Sequence, residues 1–180
     1  MPFRRFLAAL LLSLAPLCWA DAGEPVVRGT IRTLFILGTN CLTVPAAETY
    51  LRPGTRLEMR PCRNAPEQMF EWNVVSFEFK FNGLCVDAFR VGLGATQPGD
   101  PIGLWYCNGT GRQKWYPSRK NESWFDAFNI LGGSPLSELC LSVADPDHVI
   151  GAQLNISKCD GGDAQWFRLQ PWPPLGASVS

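Results

Sequence analysis

The sequence predicts an all-β fold of three imperfect repeats, each of about four short strands, stapled by disulfides. Three observations lead there. An apolar tetrapeptide opening on cysteine recurs as Cys41-Leu42-Thr43-Val44, Cys85-Val86-Asp87-Ala88 and Cys140-Leu141-Ser142-Val143. A β-forming run precedes each of them, most plainly Phe77-Glu78-Phe79-Lys80-Phe81, where phenylalanine alternates with charge as in a strand half buried against a core. The composition agrees: 18% charged residues, 17 glycines and 15 prolines are the balance of a turn-rich β domain rather than a helical one.

Taken from its start, the chain opens on a secretory signal pattern: Arg4 and Arg5, an apolar run from Phe6 to Leu17, and Cys18-Trp19-Ala20 before Asp21. About twelve apolar-rich residues are too few to span a bilayer as a helix. The expectation is therefore export with cleavage after Ala20, a secreted or periplasmic location and no membrane insertion. A short lead, residues 21–27, precedes the domain. The first repeat, residues 28–75, starts with the run Thr30 to Leu37; the second, 76–117, with the alternating phenylalanines; the third, 124–171, with Phe125-Asp126-Ala127-Phe128-Asn129-Ile130-Leu131. In each, a glycine-containing turn and another strand lead on to a second cysteine, from Gly54 to Cys62, Gly99 to Cys107 and Gly151 to Cys159. Closing strands follow at Glu71-Trp72-Asn73-Val74, Gln113-Lys114-Trp115-Tyr116 and Gln165-Trp166-Phe167-Arg168-Leu169. No unit of this size holds a core alone, so the three should pack around a pseudo-threefold axis. Residues 172–180 form a proline-rich tail, and the longer link from Pro117 to Glu138 carries Trp124 as barrel filler or as part of an exposed patch.

Loss of the signal removes Cys18 and leaves Cys41, Cys62, Cys85, Cys107, Cys140 and Cys159. An even number in an exported chain favours disulfides over metal ligation. The lack of a Cys-x-x-Cys pair and the single histidine, His148, argue further against zinc, and no cofactor is expected. Taken as sequential pairs the cysteines close loops of 21, 22 and 19 residues, although six cysteines formally allow fifteen connectivities. Each such closure is worth about 3 kcal/mol by the chain-entropy argument. Formal charge is zero for the whole chain and becomes 14 basic against 16 acidic residues once Arg4 and Arg5 leave, so no nucleic acid or other polyanion is expected as a partner.

The chemistry concentrates in the second repeat. Asp87 lies two residues after a cysteine in a strand, so Val86 and Asp87 should face opposite sides, one toward the core and one outward. A carboxylate held there accepts charge-assisted hydrogen bonds from two neighbouring sugar hydroxyls. Trp105 stands two residues before the next cysteine, where its ring forms a wall for the C–H face of a sugar. Aspartate and tryptophan on adjacent strands make a minimal sugar clamp.

Asp87 after Cys85, Trp105 before Cys107 and the Gln113-x-Trp115 that follows make the chain, over roughly residues 28–171, resemble a ricin B-type lectin domain. The resemblance implies a β-trefoil that binds carbohydrate without metal, galactose-type sugars being the first expectation. Its Gln-x-Trp signature is intact at Gln113-Trp115, survives as Gln165-Trp166-Phe167 in the third repeat, and reads as Phe70-Glu71-Trp72 in the first, without the glutamine. The resemblance also places Trp72, Trp115 and Phe167 in the threefold core. Carried across residue by residue, it makes Asp87 the acceptor, Trp105 the stacking ring and Gln113 the supporting glutamine. Asn108 or Arg112 assists, Arg112 standing where related lectins often place an asparagine. The same positions hold Thr43 and Arg60 in the first repeat, and Ser142 and Ser157 in the third, which leaves neither a carboxylate nor a ring. One competent site is the expectation.

Enzyme chemistry finds little support. His148, in Asp145-Pro146-Asp147-His148, lacks a nucleophile motif to serve and reads as a surface histidine. Asn108-Gly109-Thr110, Asn121-Glu122-Ser123 and Asn155-Ile156-Ser157 are glycosylation sequons if the source is eukaryotic. A single shallow site binds weakly, about −4 kcal/mol at a millimolar Kd, so useful adhesion calls for glycans or glycoproteins met at several points. A homo-oligomer or a partner subunit would provide them. The second reading is therefore a receptor-binding or accessory subunit of a secreted toxin, since the chain also resembles, more loosely, the lectin-like subunits of cytolethal distending toxin.

Overall fold

The computed structural model describes residues 26–33, 39–45, 51–89, 96–118, 127–130 and 138–171. The signal pattern of residues 1–20, Trp124, Trp172 and the tail lie outside the described residues. Among the described residues twelve strands fall into three groups of four. The first is β1 (Val26–Thr33), β2 (Asn40–Thr43), β3 (Glu58–Pro61) and β4 (Phe70–Asn73); the second β5 (Glu78–Phe81), β6 (Leu84–Ala88), β7 (Ile102–Tyr106) and β8 (Trp115–Ser118); the third β9 (Ala127–Ile130), β10 (Leu139–Val143), β11 (Leu154–Lys158) and β12 (Phe167–Pro171).

Within each group the second and third strands pair antiparallel, β2 with β3, β6 with β7 and β10 with β11. The outer strands β1 and β4 pair with each other within the first group, and the groups are joined where β1 also pairs with β12, β4 with β5, and β8 with β9. The first and last described strands thus close on each other. Asn82-Gly83, both at positive φ, turn β5 into β6, the conformation a two-residue type I′ hairpin requires. This is the β-trefoil that the resemblance implied.

The threefold relation extends to individual hydrogen bonds. Gly54 N donates to Leu104 O and Leu104 N to Thr55 O, so the first repeat's turn docks on the second repeat's β7. Gly99 N donates to Ile156 O and Ile156 N to Asp100 O; Gly151 N donates to Met59 O and Met59 N to Ala152 O. Each repeat therefore holds the next, and the third holds the first. The glycines of these turns have φ of 98°, 93° and 86°, a conformation in which any other residue is strained. Cross-strand pairs Leu42–Met59, Val86–Leu104 and Leu141–Ile156, all buried, point into one continuous core.

Disulfides join Cys41 to Cys62, Cys85 to Cys107 and Cys140 to Cys159, one per repeat across the second and third strands. Trp115 and Phe167 are fully buried, as expected, but the first repeat differs from the sequence reading. Its central aromatic is Phe70, also fully buried. Trp72 lies two residues on, half-buried, stacked on its cross-strand neighbour Phe79 at 5.7 Å between ring centroids. Period-2 alternation puts both on the same side of β4, and only the packing distinguishes the inner ring from the flanking one.

Candidate functional site

After its second cysteine each repeat makes the same short excursion. The residue two positions on, Asn64, Gly109 or Gly161, takes the left-handed conformation at φ 53°, 70° or 72°. A single 3-10 turn follows, Pro66–Gln68, Gly111–Gln113 or Asp163–Gln165, and ends on a buried glutamine. The glutamine missing from the sequence reading of the first repeat is therefore Gln68, which stands to Phe70 as Gln113 stands to Trp115. A constant six-residue step from Cys62, Cys107 and Cys159 marks all three glutamines. Trp72 drew the motif out of register.

These glutamines bind both ways. Gln113 Nε2 donates to Asp87 Oδ2 at 2.7 Å and to Tyr106 O at 2.8 Å, while its Oε1 accepts from Asn108 N at 2.8 Å. Gln68 repeats the pattern with Thr43 Oγ1, Pro61 O and Arg63 N. Gln165 reaches Ser157 Oγ and Lys158 O, and accepts from Asp160 N. Satisfying every polar atom of a buried amide fixes its orientation, so the acceptor on the neighbouring strand is fixed too.

In the second repeat that acceptor is Asp87. It occupies the outer face of β6, yet its side chain is covered, with only 3% of the residue exposed, which corrects the expectation of a freely outward carboxylate. The cover comes from tertiary packing: Gln113 lies on it, and Asp87 faces Gly103 across the β6–β7 pair. Burial pushes the Asp87 carboxyl above its ordinary pKa, an effect that the Gln113 hydrogen bond and the charge of Arg112 only partly counter. Gln113 engages one of the two carboxylate oxygens, Oδ2.

Trp105 stands opposite Cys85 on the same face as Asp87 and is 39% exposed. Its ring meets Phe89 at 6.0 Å between centroids and a tilt of 38°. Phe89 was missed in the sequence, although its place two residues after Asp87, just past the end of β6, continues the same alternation. Room for the Phe89 ring comes from Gly103: a Cβ there would sit 2.3 Å from Phe89 Cε1 and 2.3 Å from Thr55 O. Gly103→Ala should thus cost about 1–3 kcal/mol in chemical denaturation and displace the Phe89–Trp105 corner, seen as a shift in tryptophan fluorescence. An unaltered denaturation midpoint would mean that Thr55 and Phe89 move aside freely.

Asn108 and Arg112 flank this corner. The Asn108 side-chain oxygen accepts from Thr110 N at 3.0 Å and Thr110 Oγ1 at 2.7 Å, which commits it to the turn. Arg112 lies in the 3-10 turn beside Gln113, half-exposed, and contributes positive charge near Asp87. The first and third repeats present Thr43 with Arg60 and Ser142 with Ser157 at the corresponding registers. His148 is exposed and bonded to Asp145. Among the described residues no group of His, Cys, Asp and Glu is arranged to hold a metal.

Residues 27–127 match the family model described as the ricin-type β-trefoil lectin domain. The chain belongs to this family. The match takes in the first two repeats and with them the Asp87, Trp105 and Gln113 constellation. Among solved structures, a designed threefold-symmetric protein, ThreeFoil, superposes with a TM-score of 0.63 at 18% identity, covering 79% of this chain and 96% of that one. The C-half of an earthworm R-type lectin in complex with GalNAc gives 0.59 at 15% identity, covering 79% and 97%. A mosquitocidal holotoxin gives 0.60 at 13% identity; the match covers 78% of this chain but spans only 16% of the toxin's length. At these identities the likeness is one of fold. No curated protein matches the chain in sequence.

Proposed function

We propose that this lectin-family chain is an exported, non-enzymatic carbohydrate-binding protein with one competent site, in the second repeat, and a galactose-type ligand. The observation that carries the reading is the Asp87–Gln113 hydrogen bond beside the exposed Trp105 ring. The ring covers the C–H face of a pyranose, and Phe89 braces it. Asp87 Oδ1 accepts sugar hydroxyls, while Gln113 keeps the carboxylate from rotating. The Asn108 amide and the Arg112 guanidinium donate at the rim. GalNAc in the earthworm R-type lectin supports a galactose-type ligand, and the leading signal pattern supports a secreted or periplasmic location.

The test is a glycan array with the oxidised protein. Binding to terminal galactose or GalNAc is the expected outcome. Silence across the array would remove the lectin reading and leave a toxin-type subunit acting through protein contacts. The site also predicts a pH dependence. Because burial raises the Asp87 pKa, affinity holds at neutral pH and falls as pH drops through that raised value, sooner than for an ordinary aspartate near about 3.9. Calorimetric titrations between about pH 4 and 7 would show it. Affinity flat over that range would mean the carboxylate does not touch the sugar.

A further inference from the structure

The first repeat lacks both the carboxylate and the ring of the second, but it is not a filled surface. Its corresponding face holds a cleft of about 490 Å³, within the range of small-ligand sites. Thr43 forms part of the floor, its hydroxyl donating to Cys41 O and accepting from Gln68 Nε2. The carboxylate has moved across the strand pair. Glu58 occupies the register opposite Thr43, where the second repeat has Gly103 opposite Asp87. Glu58 in turn accepts from Arg60 Nε at 2.7 Å, and Arg60 holds the register of Trp105.

That ion pair leaves a guanidinium tethered at one nitrogen and half-exposed, with the N–H groups of its two terminal nitrogens to offer. A planar fork of this kind matches a planar oxyanion in two parallel hydrogen bonds. Arg63 adds a second guanidinium, its backbone N–H anchored on Gln68 Oε1 and its side chain exposed. Glu58 and Glu67 also line the cleft, so its four charged groups sum to zero. That balance disfavours a doubly charged phosphate monoester and suits a monoanion that carries hydroxyls for the two carboxylates, and among monoanions the planar fork favours a planar carboxylate over a tetrahedral sulfate ester. Pro45 and Pro61 supply apolar wall for C–H groups.

We infer that the first-repeat cleft binds a carboxylated sugar, a uronic or sialic acid residue, with Arg60 as the carboxylate receptor and Glu58 as its positioning residue. The inference rests on the reading of the chain as a glycan binder and extends it to a second site of opposite polarity. A glycan carrying a galactose-type and an acidic residue would then engage two faces of one domain, raising the avidity that a single shallow site lacks.

The experiment is an NMR titration of the oxidised protein with four methyl glycosides: those of glucuronic acid, N-acetylneuraminic acid, galactose and galactose 6-sulfate. The Gln68 and Gln113 side-chain amides report separately on the two sites. An acidic glycoside should shift the Gln68 amide and be weakened at least tenfold in Arg60→Gln. Arg60→Lys should restore it only in part, since it keeps the charge without the fork. Binding at Gln68 should persist in Asp87→Asn, and the galactoside response at Gln113 should persist in Arg60→Gln. Galactoside binding with no acidic response at Gln68, or tighter binding of the sulfate than of the carboxylates, would overturn the inference while leaving the lectin reading intact. Absence of every response would overturn both.

Discussion

Asp87→Ala should abolish detectable binding of galactose-type glycans with little change in folding stability, and Asp87→Asn should do so while matching or exceeding the parent in thermal stability. A charge-assisted hydrogen bond contributes about 1.5–3 kcal/mol, and a millimolar ligand is held by only about 4 kcal/mol in all. Losing one or two such bonds therefore takes the affinity below measurement. On the stability side two effects oppose. Burial raises the folded-state pKa of Asp87 above its ordinary value, so the native protein binds the proton more tightly than the unfolded chain does. The ionised carboxylate consequently destabilises the fold at neutral pH, and that cost vanishes as pH falls through the raised pKa. Alanine removes the cost but leaves one Gln113 N–H without its acceptor, a loss of about 1–3 kcal/mol, so the two effects oppose each other. Asparagine removes the charge and keeps an acceptor oxygen for Gln113. Thermal melts of the three proteins beside a glycan array check both halves. Collapse of the Asn variant would make Asp87 a structural residue and void the site.

Trp115→Ala should lower stability by about 3–5 kcal/mol, a large share of the roughly 5–15 kcal/mol that holds a typical domain together. Trp115 is the largest fully buried side chain among the described residues. Its Nε1 donates to Val86 O at 2.9 Å, tying β8 to the strand that carries Asp87. Alanine leaves both a cavity and an unpaired carbonyl. Trp115→Phe is the informative companion. Phe70 and Phe167 fill the equivalent places in the other repeats, so phenylalanine fits this geometry and should lose only the hydrogen bond and part of the ring, about 1–2 kcal/mol. Denaturant titrations with the disulfides intact would rank the three proteins. An Ala variant within about 1 kcal/mol of the parent would contradict the packing.

Much of this was legible in the sequence because it is local. Cysteine spacing marked the three repeats, period-2 alternation marked the strands, and the short step from Cys85 to Asp87 and from Trp105 to Cys107 put the acceptor and the ring on adjacent strands. Gln68 was available as well, six residues after Cys62 like its two counterparts, but Trp72 imitates the motif two residues late. Sequence carries the period of a strand, not which of two same-face aromatics is nearer the axis.

What the tertiary structure alone decided depends on which residues of distant segments meet. Long-range packing buries Asp87 and so raises its pKa, while the hydrogen bond from Gln113, 26 residues away, offsets only part of that rise. The Phe89–Trp105 corner exists because Gly103 leaves space beside a turn contributed by another repeat. The Arg60–Glu58 cleft follows from a cross-strand register that sets Glu58 opposite Thr43. Spacing along the chain specifies which side of a strand a residue faces. The depth, charge and neighbours it finds there are set by long-range packing, and a pattern of residue types does not encode those distances.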